Sequence, residues 1–265
     1  MDEAPIDAQL RKLFDLSGHR ALVTGASSGL GRHFATTLAR AGASVALAAR
    51  RADKLAEVAQ EIEAAGCPAA VSVCMNVTDR VSVQNALDRL IGEFGVPDIV
   101  VNNAGVSDTK RALSYDDDDW DRIVDTNLRG AWIVAQESAR RMVAAQIGGS
   151  IINVTSILAS RTAGGVSLYS TSKAGLKHLT RALALEVARH GIRVNSLAPG
   201  YVATALNSDF LSSDAGEKLR LRIPCGQFGT YESLDGPLLL LAAHAGRYMT
   251  GAEVVVDGGH LCSSL

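Results

Sequence analysis

Short β-branched and apolar runs alternate along the chain with longer stretches of helical period, and this alternation restricts the possible folds more than any other feature. Arg20–Thr24, Ser44–Ala49, Ala70–Cys74, Asp98–Val101, Ser150–Thr155, Ile192–Leu197 and Ala252–Val256 read as buried strands. Between them lie helical patterns such as ADKLAEVAQEIEAAG and VSVQNALDRLIGEFG, which stop at Gly66 and Gly95. Strands and helices in strict alternation predict a parallel sheet covered on both faces, because each parallel pairing needs a crossover. The expectation is an α/β fold: one doubly wound Rossmann domain over residues 1–265, with a seven-stranded parallel sheet and a lead-in over 1–17. Ligands of such sheets bind outside the carboxyl ends of the strands. A length of 265 residues with 47% hydrophobic content suits one large domain.

The charge pattern removes several partners. Lys and Arg number 26 against 28 Asp and Glu, giving a net charge of −2 without a basic stripe, so no nucleic-acid partner is expected. No apolar run approaches the roughly 20 residues of a membrane span, and MDEAPIDAQLRKLFDLSG lacks the basic start and apolar core of a signal peptide. A cytoplasmic protein with reduced thiols is expected, since Cys67, Cys74, Cys225 and Cys262 form no C-x-x-C pair. No metal site is predicted. The six histidines show no H-x-x-x-H spacing, and Asp116–Asp119 read as a solvated helix start favoured by the helix dipole.

Chemistry shows at the predicted strand ends. TGASSGLG follows the first strand and runs into a helix near Leu30. Its glycines permit a tight turn and close approach of a pyrophosphate, which the free N–H groups of the helix favour. The G-x-x-x-G-x-G spacing differs from the G-x-G-x-x-G dinucleotide fingerprint. NNAG follows the fourth strand, Asn127 lies in DTNLRG, Ser156 follows the fifth strand, and PGYVAT follows the sixth. LYSTSKAG places Tyr169 and Lys173 four residues apart, side by side on one helix face.

These motifs, in this order and spacing, resemble the short-chain dehydrogenase/reductase family from about Phe14 to Gly259. The resemblance implies an NAD(P)-dependent oxidoreductase acting on CH–OH groups, with Asn127, Ser156, Tyr169 and Lys173 as catalytic residues. Tyr169 would protonate the carbonyl oxygen, Ser156 would hydrogen-bond it, Lys173 would hold the nicotinamide ribose, and Asn127 would position a water. A cation within about 4 to 6 Å lowers an acid by roughly 1 to 3 units, so Lys173 is expected to lower the Tyr169 phenol. The implied cofactor contacts are Gly25, Ser27, Ser28, Gly29, Leu30, Gly31, Asn76, Val77, Asn103, Ala104, Gly105, Tyr169, Lys173, Pro199, Gly200, Val202 and Thr204. Similar enzymes carry Asp where this chain has Asn76, whose amide oxygen could still accept from the adenine amino group.

NADP(H) is expected over NAD(H), though NAD(H) remains compatible. Counting 20 residues from Gly29 reaches Ala49, where NAD-selective chains place an acid, and Arg50 and Arg51 follow. Arg50 is the expected phosphate contact. The expected substrate is a small free ketone or secondary alcohol. Two alternatives stand beside it: reduction of 3-oxoacyl groups on acyl carrier protein, and a non-catalytic dinucleotide-sensing regulator, which would be expected to lack the tyrosine or the lysine. Carrier-docking reductases use arginines at positions aligned with Ile133 and Leu185, which carry no charge here. The LFDLSG lead-in resembles gluconate 5-dehydrogenases. Residues 201–229 are read as a substrate lid. Broad apolar faces on GAWIVAQESARRMVAA and YSTSKAGLKHLTRALALEVARH, which pair across two-fold axes in similar enzymes, imply a homotetramer.

Overall fold

The computed structural model describes residues 7–204 and 208–263. In chain order the elements are α1 (Ala8–Lys12), β1 (Arg20–Thr24), α2 (Gly29–Arg40), β2 (Ser44–Ala49), α3 (Ala52–Ala64), β3 (Val71–Cys74), α4 (Arg80–Glu93) and β4 (Ile99–Asn102). They continue with α5 (Asp117–Val124), α6 (Ala131–Ala144), β5 (Gly149–Val154), α7 (Ser167–Val187), β6 (Ile192–Pro199), α8 (Ser208–Leu211), α9 (Asp214–Arg220), α10 (Asp235–Ala242) and β7 (Glu253–Val256). The seven strands form one sheet in the order β3-β2-β1-β4-β5-β6-β7, every pairing parallel. The winding direction reverses between β1 and β4, which opens a crevice at their carboxyl ends.

The predicted strands all exist, β1 and β2 with the expected ends and the other five with an end shifted by one or two residues. β6 extends past Leu197 to Pro199 because β7 pairs with it through Pro199↔Val256. Both sheet faces are covered. Ala21 and Val23 of β1 join one apolar cluster with Phe34, Leu38 and Leu47, while Leu22 joins the opposite one with Leu87, Ile133 and Met142. Successive strand residues point to opposite faces, so a strand buried on both must be apolar throughout. A buried polar relay crosses beneath the site: Asn102 Nδ2 donates to Asn153 Oδ1 at 2.9 Å, and Asn153 Nδ2 donates to Thr180 Oγ1 of α7 at 2.9 Å. These bonds engage buried amide groups that would each cost about 1 to 3 kcal/mol unpaired, and they tie β4 and β5 to the helix carrying Tyr169.

The acidic run departs in part from a solvated helix start. Asp116 caps α5 in a reciprocal box with Asp119. Asp119 is buried and pairs with Lys110 and Arg122, which hold its carboxyl down at about 2. Turning four successive residues around a helix sends one of them inward. Ile133 is also corrected: it is fully buried on α6 and says nothing about surface charge, whereas Leu185 is exposed. Residues 205–207 of the expected lid and residues 1–6 of the lead-in lie outside the described residues. Among the described residues, no helix is long and apolar enough to cross a membrane.

Candidate active site

The glycine loop between β1 and α2 forms the floor of the crevice. Gly31 is indispensable on steric grounds, since a Cβ there would lie 2.2 Å from the Gly25 carbonyl oxygen and 2.5 Å from Asn103 Nδ2. Gly29 has φ +55 and faces open space. Ser28, at the N-cap of α2, makes no side-chain capping bond, so the first N–H groups of this 12-residue helix lack a hydroxyl cap. Open space, missing cap and helix dipole together fit a pyrophosphate. NNAG is locked to the same loop: Thr24 Oγ1 accepts from the Asn103 and Ala104 N–H groups at 3.1 Å, and Asn103 Nδ2 donates to the Thr24 carbonyl at 3.0 Å.

Two arginines follow β2 beside the glycine loop. Arg51, and not Arg50, reaches the loop, with Nη2 donating to Ser27 Oγ at 3.1 Å and Ser28 Oγ at 3.4 Å. Asn76 also behaves differently from expectation. Its Oδ1 accepts from the Thr78 hydroxyl at 3.0 Å and the Thr78 N–H at 3.3 Å, so the oxygen expected to accept from an adenine is already engaged. Val77 is buried against Gly130 and supports the neighbouring turn.

Asn127 sits in a single π-helical turn, Asp125–Gly130, between α5 and α6. Such turns recur at functional sites because the inserted residue re-aims a side chain. Asn127 is fully buried; its Oδ1 accepts from Val106 N–H at 2.8 Å, and its Nδ2 donates to Val106 O at 2.8 Å and to Ser172 Oγ at 3.1 Å. A Cβ on Gly105 would stand 3.2 Å from Asn127 Oδ1 and 3.6 Å from Lys173 Nζ, so the NNAG turn, the asparagine and the lysine meet at one point.

Tyr169 and Lys173 lie one turn apart on α7, with Lys173 Nζ 5.8 Å from the Tyr169 ring centroid. The lysine is buried and donates to the Val154 carbonyl at 2.7 Å, and burial pushes its ammonium down to about 8. Ser156 begins the turn after β5; its Oγ accepts from Leu158 N–H at 3.1 Å, and its hydroxyl is hydrogen-bonded to Tyr169. The Tyr169 phenol is raised above its ordinary value, opposite to the expectation: burial dominates, the Ser156 hydrogen bond lowers it, and nearby Tyr201 raises it. Lys173 does not reverse this because its ammonium points to Val154 and is itself destabilised by burial.

Pro199 ends β6, Gly200 abuts Asp257, and Val202 bridges to Gly229, so the start of the expected lid is anchored at the mouth of the site. The described residues named from sequence lie at or beside the carboxyl ends of β1 to β6.

The family model described as "Enoyl-(Acyl carrier protein) reductase" matches residues 25–260. The chain belongs to the short-chain dehydrogenase/reductase family. It is 36% identical over 248 residues to gluconate 5-dehydrogenase of Gluconobacter oxydans, covering 93% of this chain and 96% of that one. It is 34% identical over 245 residues to a 3-oxoacyl-[acyl-carrier-protein] reductase of Thermotoga maritima, covering 92% and 98%. A gluconate 5-dehydrogenase from Burkholderia cenocepacia, solved in complex with NADP and tartrate, superposes with a TM-score of 0.92 at 33% identity, covering 96% and 100%. These relatives are dehydrogenases and reductases acting on CH–OH groups, and like them this chain is an NAD(P)-dependent oxidoreductase.

Arg51 was legible only as one of two adjacent arginines, because spacing does not settle which of two successive residues points back along the strand. Arg161 and His260 gave no sequence signal. They are 99 residues apart and meet only because the segment after β7 folds back, where Arg161 Nη1 donates to the His260 carbonyl.

Proposed function

We propose that this protein is an NADP(H)-preferring carbonyl reductase or secondary alcohol dehydrogenase acting on a small free ketone or alcohol. The observation carrying this reading is the convergence on one crevice of a protonated phenol, a serine hydroxyl hydrogen-bonded to it and a buried lysine wedged between Val154 O and the Asn127–Gly105 turn. The nicotinamide, when bound, supplies or accepts the hydride. The chain's own residues handle the proton. Ser156 donates to the substrate oxygen and fixes it against Tyr169, whose phenol gives up its proton as charge develops on that oxygen. Lys173, titrating near 8, is largely cationic at neutral pH and would hold the nicotinamide ribose hydroxyls.

A raised phenol stays protonated at neutral pH, so ketone reduction should run there and alcohol oxidation should strengthen as pH rises. NADP preference is supported by the arginine on the glycine loop, by Ala49 in place of an acid, and by the NADP bound in a similar solved enzyme. Asn76 would present its amide to the adenine. The roles of Tyr169 as acid and base and of Arg51 as phosphate contact belong to this proposal, as does a homotetramer built on α6 and α7. The groove between those helices, about 760 Å³ and lined by Ala139, Val143, Leu183 and Leu185, supports that assembly. A monomeric mass by light scattering at micromolar concentration would dismiss it.

A second reading, reduction of 3-oxoacyl groups on acyl carrier protein, is favoured by the 34% identity to such a reductase. With Ile133 in the core, only uncharged, exposed Leu185 argues against carrier docking. The deciding assay compares kcat/KM with NADPH for acetoacetyl-acyl carrier protein, free β-keto esters, diketones and 5-ketogluconate. A tenfold or greater advantage for the carrier-bound substrate overturns the free-substrate reading.

A further inference from the structure

Resting on that oxidoreductase reading, we infer that Arg161, Tyr201 and His260 form an anion subsite beside Tyr169, and that the substrate is a ketone or alcohol bearing a carboxylate. Arg161 follows Ser156 by five residues, and its guanidinium is pinned by the C-terminal segment: Nη1 donates to the His260 carbonyl and to Ser263 Oγ at 2.8 Å. Among the described residues, no carboxylate lies within ion-pair distance of it, and only Nη1 is engaged. A fixed, partly buried guanidinium with donors to spare is prepared for the paired oxygens of a carboxylate.

His260 supplies an independent observation. Its side chain is only 5% exposed, yet Nδ1 is buried without a hydrogen-bond partner among the described residues. Buried polar atoms are rarely left so, because the desolvation is uncompensated until a ligand or water arrives. The imidazole lies against the Tyr201 ring, centroids 5.7 Å apart. Tyr201 is close enough to Tyr169 to disfavour its ionisation, which joins the His260 pair to the reacting end of the crevice. The Tyr201 hydroxyl makes no hydrogen bond to a described residue.

The local field has the matching sign. Burial foremost, with Arg161 and Arg222 acting as positive charges, lowers the imidazole of His260. Asp257 is the opposing charge, but its two oxygens already accept the Gly259 and Leu261 N–H groups at 2.9 and 2.6 Å. An anion entering here meets a guanidinium, a phenol and an imidazole, and no uncommitted carboxylate.

The test uses the full-length protein with NADPH and straight-chain oxo acids, the ketone placed two to five carbons from the carboxylate, each compared with its methyl ester. At least one acid should exceed its ester tenfold in kcat/KM. Arg161→Gln should cut that acid-to-ester ratio by roughly 10- to 100-fold, the worth of a hydrogen bond to a charged group, and Arg161→Lys should recover part of it. If Arg161→Gln fails to fold, Tyr201→Phe is read by the same ratio. Esters reduced as well as acids, equal losses for both in the variants, or a preference for phosphate monoesters would each overturn the subsite. If no ketone is reduced, the oxidoreductase reading has failed, and calorimetric titration of 4-oxopentanoate against its methyl ester into NADPH-loaded protein decides the subsite alone.

Discussion

Replacing Lys173 with methionine should stabilise the protein while abolishing its chemistry, and the stabilisation should carry a pH signature. Burial lowers the ammonium from 10.5 to about 8. At about 1.4 kcal/mol per unit, keeping that charge in the folded chain at pH 7 costs about 3 kcal/mol. Methionine matches the length of the side chain but loses the bond to Val154 O, worth about 1 kcal/mol. Lys173→Met should therefore gain about 2 kcal/mol at pH 7. Because the folded pKa lies below the unfolded one, the unfolded chain holds the proton between about 8 and 10.5 while the folded chain has released it. Raising the pH through that window favours folded wild type, so the variant's advantage should shrink by about 2.5 kcal/mol between pH 7 and pH 10. Urea denaturation of both proteins without cofactor, at one protein concentration and several pH values, measures the difference directly. An advantage that stays constant across this range would refute the burial argument. A variant less stable than wild type at pH 7 would show that contacts outweigh the desolvation.

Tyr169→Phe should lower kcat by 100-fold or more while leaving NADPH binding by fluorescence largely intact, and retention of over about a tenth of kcat would remove the phenol from the chemistry. Arg51→Ala should lower kcat/KM with NADPH by roughly 10- to 100-fold and leave NADH within about threefold; a loss for both cofactors would mean that the arginine only braces Ser27 and Ser28. Gly31→Ala should destabilise by about 1 to 3 kcal/mol and weaken dinucleotide binding, because the new Cβ collides with the Gly25 backbone; unchanged melting and affinity would contradict the close packing. Asn127→Ala leaves the Val106 N–H and carbonyl unpaired and should lower stability by about 2 to 5 kcal/mol together with turnover, read by thermal melting and kinetics.

The glycine loop, NNAG and the Tyr169–Lys173 pair were readable because their geometry is local. A strand ending in a glycine turn and two residues four apart on a helix bring their groups together in almost any tertiary context. The direction of the Tyr169 shift was not readable. It depends on how many neighbours exclude water from the phenol and on where Nζ points, and both are set by tertiary packing against β5 and Tyr201. Choosing Arg51 over Arg50 needed the register of β2, since neighbouring side chains leave a strand end in opposite directions. His260 shows the same boundary more sharply. Nothing in its flanking sequence distinguishes it from the other five histidines, and its unsatisfied nitrogen arises only when the segment after β7 packs against Tyr201 and Arg161. Spacing therefore reveals machinery that must sit on one element. The groups that select a substrate are assembled from distant elements, and their character comes from burial and field, which no local pattern encodes.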